Sequence, residues 1–109
     1  MAAVRYKKVV LFQNPASGVP KPEVRQRIRE RLEAISDSVV EVVVNRELNL
    51  ATRAAEAVRE NADLVVVAGG DGTVREVAGA LVSTDVTLAI IALGTFNNLA
   101  LSLQLPTTP

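Results

Sequence analysis

The sequence predicts an α/β fold of three layers, α/β/α, in which helices cover both faces of a four-stranded parallel sheet. Three observations lead to this prediction. Short runs rich in β-branched residues alternate along the chain with longer amphipathic stretches. These runs are apolar throughout, which is typical of strands that are covered on both faces. The 109 residues are enough for one compact domain.

The first half of the chain predicts two strand–helix units. Residues 9–12 form an apolar strand that ends at the turn-forming residues 14–18. The next stretch has helical spacing on one apolar face, at Val24, Ile28, Leu32 and Ile35. Residues 39–44 are the second predicted strand, closed by Asn45. Asn49 is a favourable N-cap for the second helix, whose apolar residues are Leu50, Ala54, Ala57 and Val58.

The second half begins with the strongest strand, residues 64–68, which runs into Gly69-Gly70-Asp71-Gly72-Thr73. Asp71-Gly72 could form a hairpin turn. A helix is favoured because Thr73 and Glu76 match a capping box. The apolar residues that follow have helical spacing, at Val74, Val77, Ala78 and Leu81. A fourth strand is expected at residues 87–93 and a fourth helix from residue 99, which makes four strand–helix units.

Composition excludes several classes of function. Twelve Lys and Arg balance twelve Asp and Glu, which argues against a broad basic surface for nucleic acid, and three aromatic residues offer little base stacking. The absence of Cys and His excludes thiol nucleophiles, disulfides, Ser-His triads and His or Cys zinc sites. No apolar run approaches the roughly 20 residues of a transmembrane helix, and no secretion signal opens the chain. Arginines at positions 25, 27, 29 and 31 form a local basic run that is interspersed with Glu23, Glu30 and Glu33, so a solvated helix face is expected there.

The unusual loops all follow predicted strands, where ligands bind in open parallel sheets. Four of the six glycines lie in two of these loops, at positions 69, 70, 72 and 94. Glycine permits positive φ and close backbone approach, and a helix N-terminus favours phosphate. These loops therefore predict a phosphate site, although such a turn does not require a ligand. No Walker motif is present, and Arg75 stands where a dinucleotide fingerprint requires glycine.

Three segments carry a resemblance to a known family. Asn14-Pro15-Ala16-Ser17-Gly18, Gly69-Gly70-Asp71-Gly72-Thr73 and Leu93-Gly94-Thr95-Phe96-Asn97 together resemble the amino-terminal lobe of the diacylglycerol kinase catalytic-domain family. That family includes bacterial lipid kinases and sphingosine and ceramide kinases. The glycine-rich segment is shared with NAD kinases and phosphofructokinases, and the other two narrow the resemblance to lipid kinases. The resemblance implies a parallel sheet in the order 2-1-3-4.

The resemblance also implies a site for ATP and Mg²⁺. Residues 69–73 would wrap the phosphates, with Asp71 as the catalytic carboxylate that orients magnesium-bound phosphates. Thr73 and Thr95 would supply hydroxyls. The implied nucleotide-binding residues are Asn14, Asn45, Gly69, Gly70, Asp71, Gly72, Thr73, Arg75, Gly94 and Thr95; no resident metal site is implied.

The sequence departs from the family pattern at several positions. Asn45 replaces the usual Thr and can still donate and accept hydrogen bonds. Arg75 replaces an Asn, and it could clamp a phosphate or point to solvent. Asn98 replaces the usual Asp, and Ala92 replaces a proline.

The resemblance implies that the parent reaction transfers the ATP γ-phosphoryl group to a lipid hydroxyl such as that of diacylglycerol. Family members continue into a β-rich second domain that holds the lipid pocket and the acidic base. Residues 1–109 are therefore expected to be an incomplete nucleotide-binding lobe, inactive alone. A cytoplasmic protein that could contact the membrane periphery is implied, and exposed apolar surface could drive homo-oligomerisation. The alternatives are a stand-alone, non-catalytic module that binds a nucleotide or a partner, and a soluble-substrate kinase related to NAD kinases.

Overall fold

The computed structural model describes residues 5–13, 22–45, 47–92 and 100–104. In chain order, their elements are β1 (Tyr6–Gln13), α1 (Pro22–Ala34), β2 (Ser36–Val43), α2 (Leu50–Arg59), β3 (Leu64–Ala68), α3 (Asp71–Leu81), β4 (Thr87–Ala92) and β5 (Ala100–Gln104). They form one sheet in the order β2-β1-β3-β4-β5, in which the first four strands are parallel and β5 is antiparallel to β4. The predicted order of the four parallel strands is confirmed.

Helices cover both faces of this sheet. Successive residues of a strand point to opposite faces, so Val10 and Phe12 of β1 join one core with α2 and α3. Val9 and Leu11 join the other core with Ile28 and Leu32 of α1. All five residues of β3 are buried. The predicted three-layer arrangement is therefore confirmed, and it follows from strands that are apolar on both sides.

The ends of the helices follow the local sequence. Asn49 is the N-cap of α2, and its side chain accepts a hydrogen bond from the Thr52 N–H at 3.0 Å, as predicted. At the end of α1, the Ser36 hydroxyl donates to the Leu32 carbonyl at 2.5 Å. This bond joins the helix to the first residue of β2.

Asp63 aligns the amino ends of three strands. Its carboxylate accepts hydrogen bonds from the backbone N–H groups of Lys7 and Lys8, at 2.8 and 3.0 Å. Its own N–H donates to the Lys8 carbonyl at 3.1 Å, and its carbonyl accepts from the Thr87 N–H at 3.2 Å. These hydrogen bonds fix the register of β1, β3 and β4. The three strands therefore also end together at the opposite edge of the sheet.

The prediction of a fourth helix is wrong, because residues 100–104 form strand β5. Ala100-Leu101-Ser102-Leu103-Gln104 has leucine at every second position, which is the period of a strand rather than of a helix. The five residues pair with β4, with Leu103 opposite Ala89. The described chain therefore contains three strand–helix units followed by two adjacent antiparallel strands.

Candidate functional site

The carboxyl ends of the four parallel strands meet at one edge of the sheet. Gln13 of β1 pairs with Val43 of β2 and with Ala68 of β3, and Ala68 pairs with Ile91 of β4. These four strands therefore end side by side, at the position where open α/β sheets bind ligands. The glycine-rich segment 69–73 and Asn45 lie at this edge, as the sequence predicted.

The glycine-rich segment forms a tight junction between β3 and α3. Only residues 69 and 70 separate the strand from the helix, and Gly70 is the N-cap. The Val74 N–H donates to the Gly70 carbonyl at 3.0 Å. The N–H groups of Asp71 and Gly72 therefore precede the helical ladder, where donors and the positive end of the helix dipole favour an anion.

The predicted capping box is wrong, because α3 begins at Asp71 and Thr73 lies within its first turn. The side chain of Thr73 is buried, with 8% exposed. Gly70 already has the extended backbone of an N-cap, at φ −89° and ψ −179°, and Asp71 in the first turn interacts favourably with the dipole. That φ suits any residue, so Gly70 does not need the positive φ that the sequence analysis allowed for it.

The surface of this junction is open. Gly69 and Gly70 are half-buried, whereas Asp71, Gly72 and Arg75 are exposed. A Cβ atom built on Gly72 would meet no heavy atom within 4 Å. The space directly beside the Gly72 Cα atom is therefore open. Arg75 lies one helical turn after Asp71.

Asn45 makes an Asx turn that leads towards α2. Its Oδ1 atom accepts hydrogen bonds from the N–H groups of Glu47 and Leu48, at 3.0 and 2.9 Å. These two bonds use both lone pairs of the oxygen, so the side chain offers a ligand only its NH₂ group. Asn45 was expected to donate hydrogen bonds to a ligand and to accept them from it, and the Asx turn leaves it only as a donor. Asn14, Gly94 and Thr95 lie outside the described residues.

Sequence reasoning missed a polar cluster at this edge, which consists of Gln13, Glu41, Arg25 and Arg29. Gln13 is 5% exposed, and its Nε2 atom donates to Oε2 of Glu41. Arg25 and Arg29 of α1 form ion pairs with the same carboxylate, each at 3.4 Å. The expected solvated face of α1 therefore contributes two arginines to a structural contact. Glu41 was the available signal, because it interrupts the apolar residues 39–44.

The carboxylates of the described residues suit a magnesium ion only in combination with a phosphate ligand. No group of three Asp, Glu, His or Cys side chains in this part of the chain could hold a metal. Mg²⁺ is commonly bound by one or two carboxylates together with substrate phosphates and water. The exposed carboxylate of Asp71, beside the α3 N-terminus, fits that coordination. The helices of the described ranges include none with the length and apolarity of a membrane span.

Comparisons with known proteins show which family the sequence matches. The family described as "Diacylglycerol kinase catalytic domain" matches residues 8–109. A diacylglycerol kinase of Mycobacterium tuberculosis is 36% identical over 101 residues, which cover 92% of this chain and 33% of that protein. A putative lipid kinase of Streptococcus pneumoniae is 35% identical over 94 residues, with 84% and 32% covered.

A solved structure extends the similarity to the fold. The crystal structure of a putative diacylglycerol kinase from Bacillus anthracis matches with a TM-score of 0.69 and 30% identity, and the match covers 87% of this chain and 34% of that one. The matched regions correspond to between 18% and 33% of the lengths of the curated relatives. The matched part of the chain thus spans about a third or less of the length of these curated relatives.

Proposed function

The chain belongs to the diacylglycerol kinase catalytic-domain family, and from this premise we propose that it is the ATP-binding lobe of a lipid kinase. The observation that carries the proposal is the junction between β3 and α3. A helix N-terminus with a glycine-rich sequence opens at the carboxyl edge of the sheet, and the space beside Gly72 is free of protein atoms. Donors, dipole and open space together suit the phosphates of a nucleotide.

Both backbone and side-chain groups of the described residues bind the nucleotide in this proposal. The N–H groups of Asp71 and Gly72 donate to phosphate oxygens. Asn45 donates its NH₂ group to an acceptor on the nucleotide, since its oxygen is engaged in the Asx turn. Exposed Arg75 adds a positive charge that attracts a triphosphate. Thr73 is proposed to offer its hydroxyl to the phosphates, as the family resemblance implies, from a position that is 8% exposed.

Asp71 is proposed as the residue that orients magnesium-bound phosphates. It is exposed in the first turn of α3, and its carboxylate can bind the ion directly or through water. Mg²⁺ supplies neutralisation of the phosphate charge when it is bound. By family resemblance, Asn14, Gly69, Gly70, Gly94 and Thr95 complete the proposed nucleotide site.

The proposed reaction transfers the γ-phosphoryl group of ATP to a lipid hydroxyl. Transfer requires an acceptor held in line with the phosphate and a base for its proton. Because the curated relatives are three or more times as long as the matched region, we place the acceptor pocket and that base in sequence beyond these 109 residues.

The role of Asp71 is tested by the dependence of ATP binding on magnesium. ATP affinity is measured by calorimetry with and without Mg²⁺ for the wild type, Asp71→Asn and the control Asp85→Asn. Asp85 is an exposed carboxylate beyond the other end of α3. Magnesium should tighten ATP binding by the wild type and the control, and Asp71→Asn should weaken MgATP binding by about tenfold, the loss of one charge-assisted interaction. Equal magnesium dependence in all three proteins would contradict the assignment of Asp71.

A further inference from the structure

We infer that the outer edge of β2 pairs with the β2 strand of a second copy of this chain, in antiparallel orientation. β2 lies at the end of the sheet, and among the described residues only β1 pairs with it. The inference concerns an interaction surface, and it stands independently of the proposed nucleotide site.

The outer edge of β2 is long, regular and open. The eight residues of the strand include no proline and no lysine. The register with β1 keeps one offset from Tyr6↔Ser36 to Gln13↔Val43, so no residue is inserted as a bulge. Ser38 is exposed, and Val43 is 49% exposed. Natural sheets block unpaired edges with short strands, prolines, lysines or bulges, and β2 has none of these four features.

The backbone groups that face this edge can be identified from the end of the strand. The Val44 N–H donates to the Gln13 carbonyl of β1 at 2.7 Å. Successive residues of a strand direct their N–H and C=O groups to opposite sides. Those of Val39, Glu41 and Val43 therefore point away from β1, and each of these residues offers a donor and an acceptor to an added strand.

The two acidic residues of β2 select one register for a symmetric pair of strands. With Val40 at the centre, Asp37 faces Val43 of the second copy. Glu41 then faces Val39 of the second copy. In a register centred on residue 39, Asp37 would face Glu41, and in one centred on residue 41 the two Glu41 side chains would face each other. Like charges directly opposite destabilise a strand pair, so the pair is centred on Val40.

This register brings the two Val40 residues close together. The N–H and C=O groups of Val40 face β1, as the N–H of Val44 does, so Val40 forms a non-hydrogen-bonded pair at the outer edge. The Cα atoms of such a pair are about 4.5 Å apart. Because each copy uses the same edge, the assembly closes as a dimer. One added strand makes a small interface, so we expect weak association, with a micromolar to millimolar Kd.

Charge substitutions test the contact between residues 37 and 43. Analytical ultracentrifugation of the 109-residue chain over a series of concentrations should show a monomer–dimer equilibrium. Val43→Asp places two carboxylates opposite each other at both ends of the dimer, and it should weaken dimerisation by about tenfold. The double variant Asp37→Lys/Val43→Asp again pairs unlike charges and should recover most of the affinity. Val82→Asp is the matched control, because Val82 is 51% exposed and caps the C-terminus of α3.

Circular dichroism establishes that each variant is folded, and a cysteine cross-link tests the register. The chain has no native cysteine. Val40→Cys places two thiols within the Cα separation of a disulfide, about 4.4–6.8 Å. Ser38→Cys is the control, because position 38 lies on the same face of β2 but faces Val42 of the second copy in this register. With oxidised glutathione, Val40→Cys should form the linked dimer faster, although random collision would favour the more exposed position 38.

Four results would overturn the inference. The first is a chain that stays monomeric at every concentration tested. The second is a dimer that Val43→Asp weakens no more than Val82→Asp does, because it would then use another surface. The third is a failure of the double variant to recover affinity, and the fourth is cross-linking at position 38 as fast as at position 40. No nucleotide enters these measurements, so MgATP binding by a monomeric chain would support the proposed function and overturn this inference alone.

Discussion

Replacing Gly72 by alanine should make the protein more stable and bind nucleotide less tightly. Gly72 is in the first turn of α3 and is exposed, and a Cβ atom there would meet no protein atom within 4 Å. Alanine in a helix is favoured over glycine by about 0.5–1 kcal/mol. Nothing in the folded protein opposes that gain, so the melting temperature should rise by about 2–8 °C for a domain of this size.

The same methyl group would stand where the proposed phosphates approach the α3 N-terminus. Loss of one hydrogen bond to a charged group costs about 1.5–3 kcal/mol, so the Kd for MgATP should rise about tenfold to a hundredfold. Gly79→Ala is the matched control, because Gly79 is also exposed on α3 and also has open space around it. It lies two turns farther along the helix, away from the N-terminus.

The assay combines thermal unfolding with a MgATP titration of both variants. Both should be stabilised, and only Gly72→Ala should lose affinity. Gly72→Ala with a melting temperature above that of the wild type and a Kd within twofold of it would refute the assignment of phosphates to this side of the α3 N-terminus.

Three further predictions concern the loop, the opposite edge of the sheet and catalysis. Gly70→Val should abolish MgATP binding in a titration. Its circular dichroism spectrum should remain native, because the Gly70 φ of −89° accommodates valine. Binding of MgATP by the folded variant would remove Gly70 from the site. Asp63→Ala should lower the free energy of unfolding in urea by about 1–3 kcal/mol, since two backbone donors lose their acceptor. The control Asp37→Ala, which removes an exposed ion pair, should change it by about 0–1 kcal/mol. Equal effects of the two substitutions would contradict the role of Asp63. The 109-residue chain should phosphorylate no diacylglycerol in mixed micelles with labelled ATP, because the base and the acceptor pocket are placed outside it. A positioned base raises the rate by roughly 10²–10⁴-fold, and orientation of the acceptor lowers the activation free energy by up to about 7–11 kcal/mol. Formation of phosphatidic acid that Asp71→Ala abolishes would show that this lobe is catalytically complete.

Local patterns were sufficient to predict most of the fold. Strand β3 was predicted with its observed bounds, because its apolar run is short and a glycine pair follows it directly. The N-cap at Asn49 could be recognised because capping depends on one side chain and the first turn. The placement of Asn45 and the glycine-rich segment at one edge followed from the common direction of parallel strands.

Features that depend on competing local signals or on distant partners were harder to predict. The leucines before and within β5 can belong to a short helix or to a strand, and pairing with β4 selects the strand. Thr73 and Glu76 have the spacing of a capping box, but Gly70 caps the helix first. The ion pairs of Glu41 join residues 12 and 16 positions apart in sequence, which only the packing of α1 beside β2 brings together.

The central claim is that MgATP binds at the α3 N-terminus, and amide shifts during a titration of the ¹⁵N-labelled chain test it most directly. Titration with Mg²⁺ alone distinguishes effects of the ion from those of the nucleotide. Saturable shifts centred on residues 69–73 are the predicted result. Shifts confined to α1, with its arginines, would contradict the account, because the nucleotide would then bind a basic helix surface instead of the carboxyl edge of the sheet.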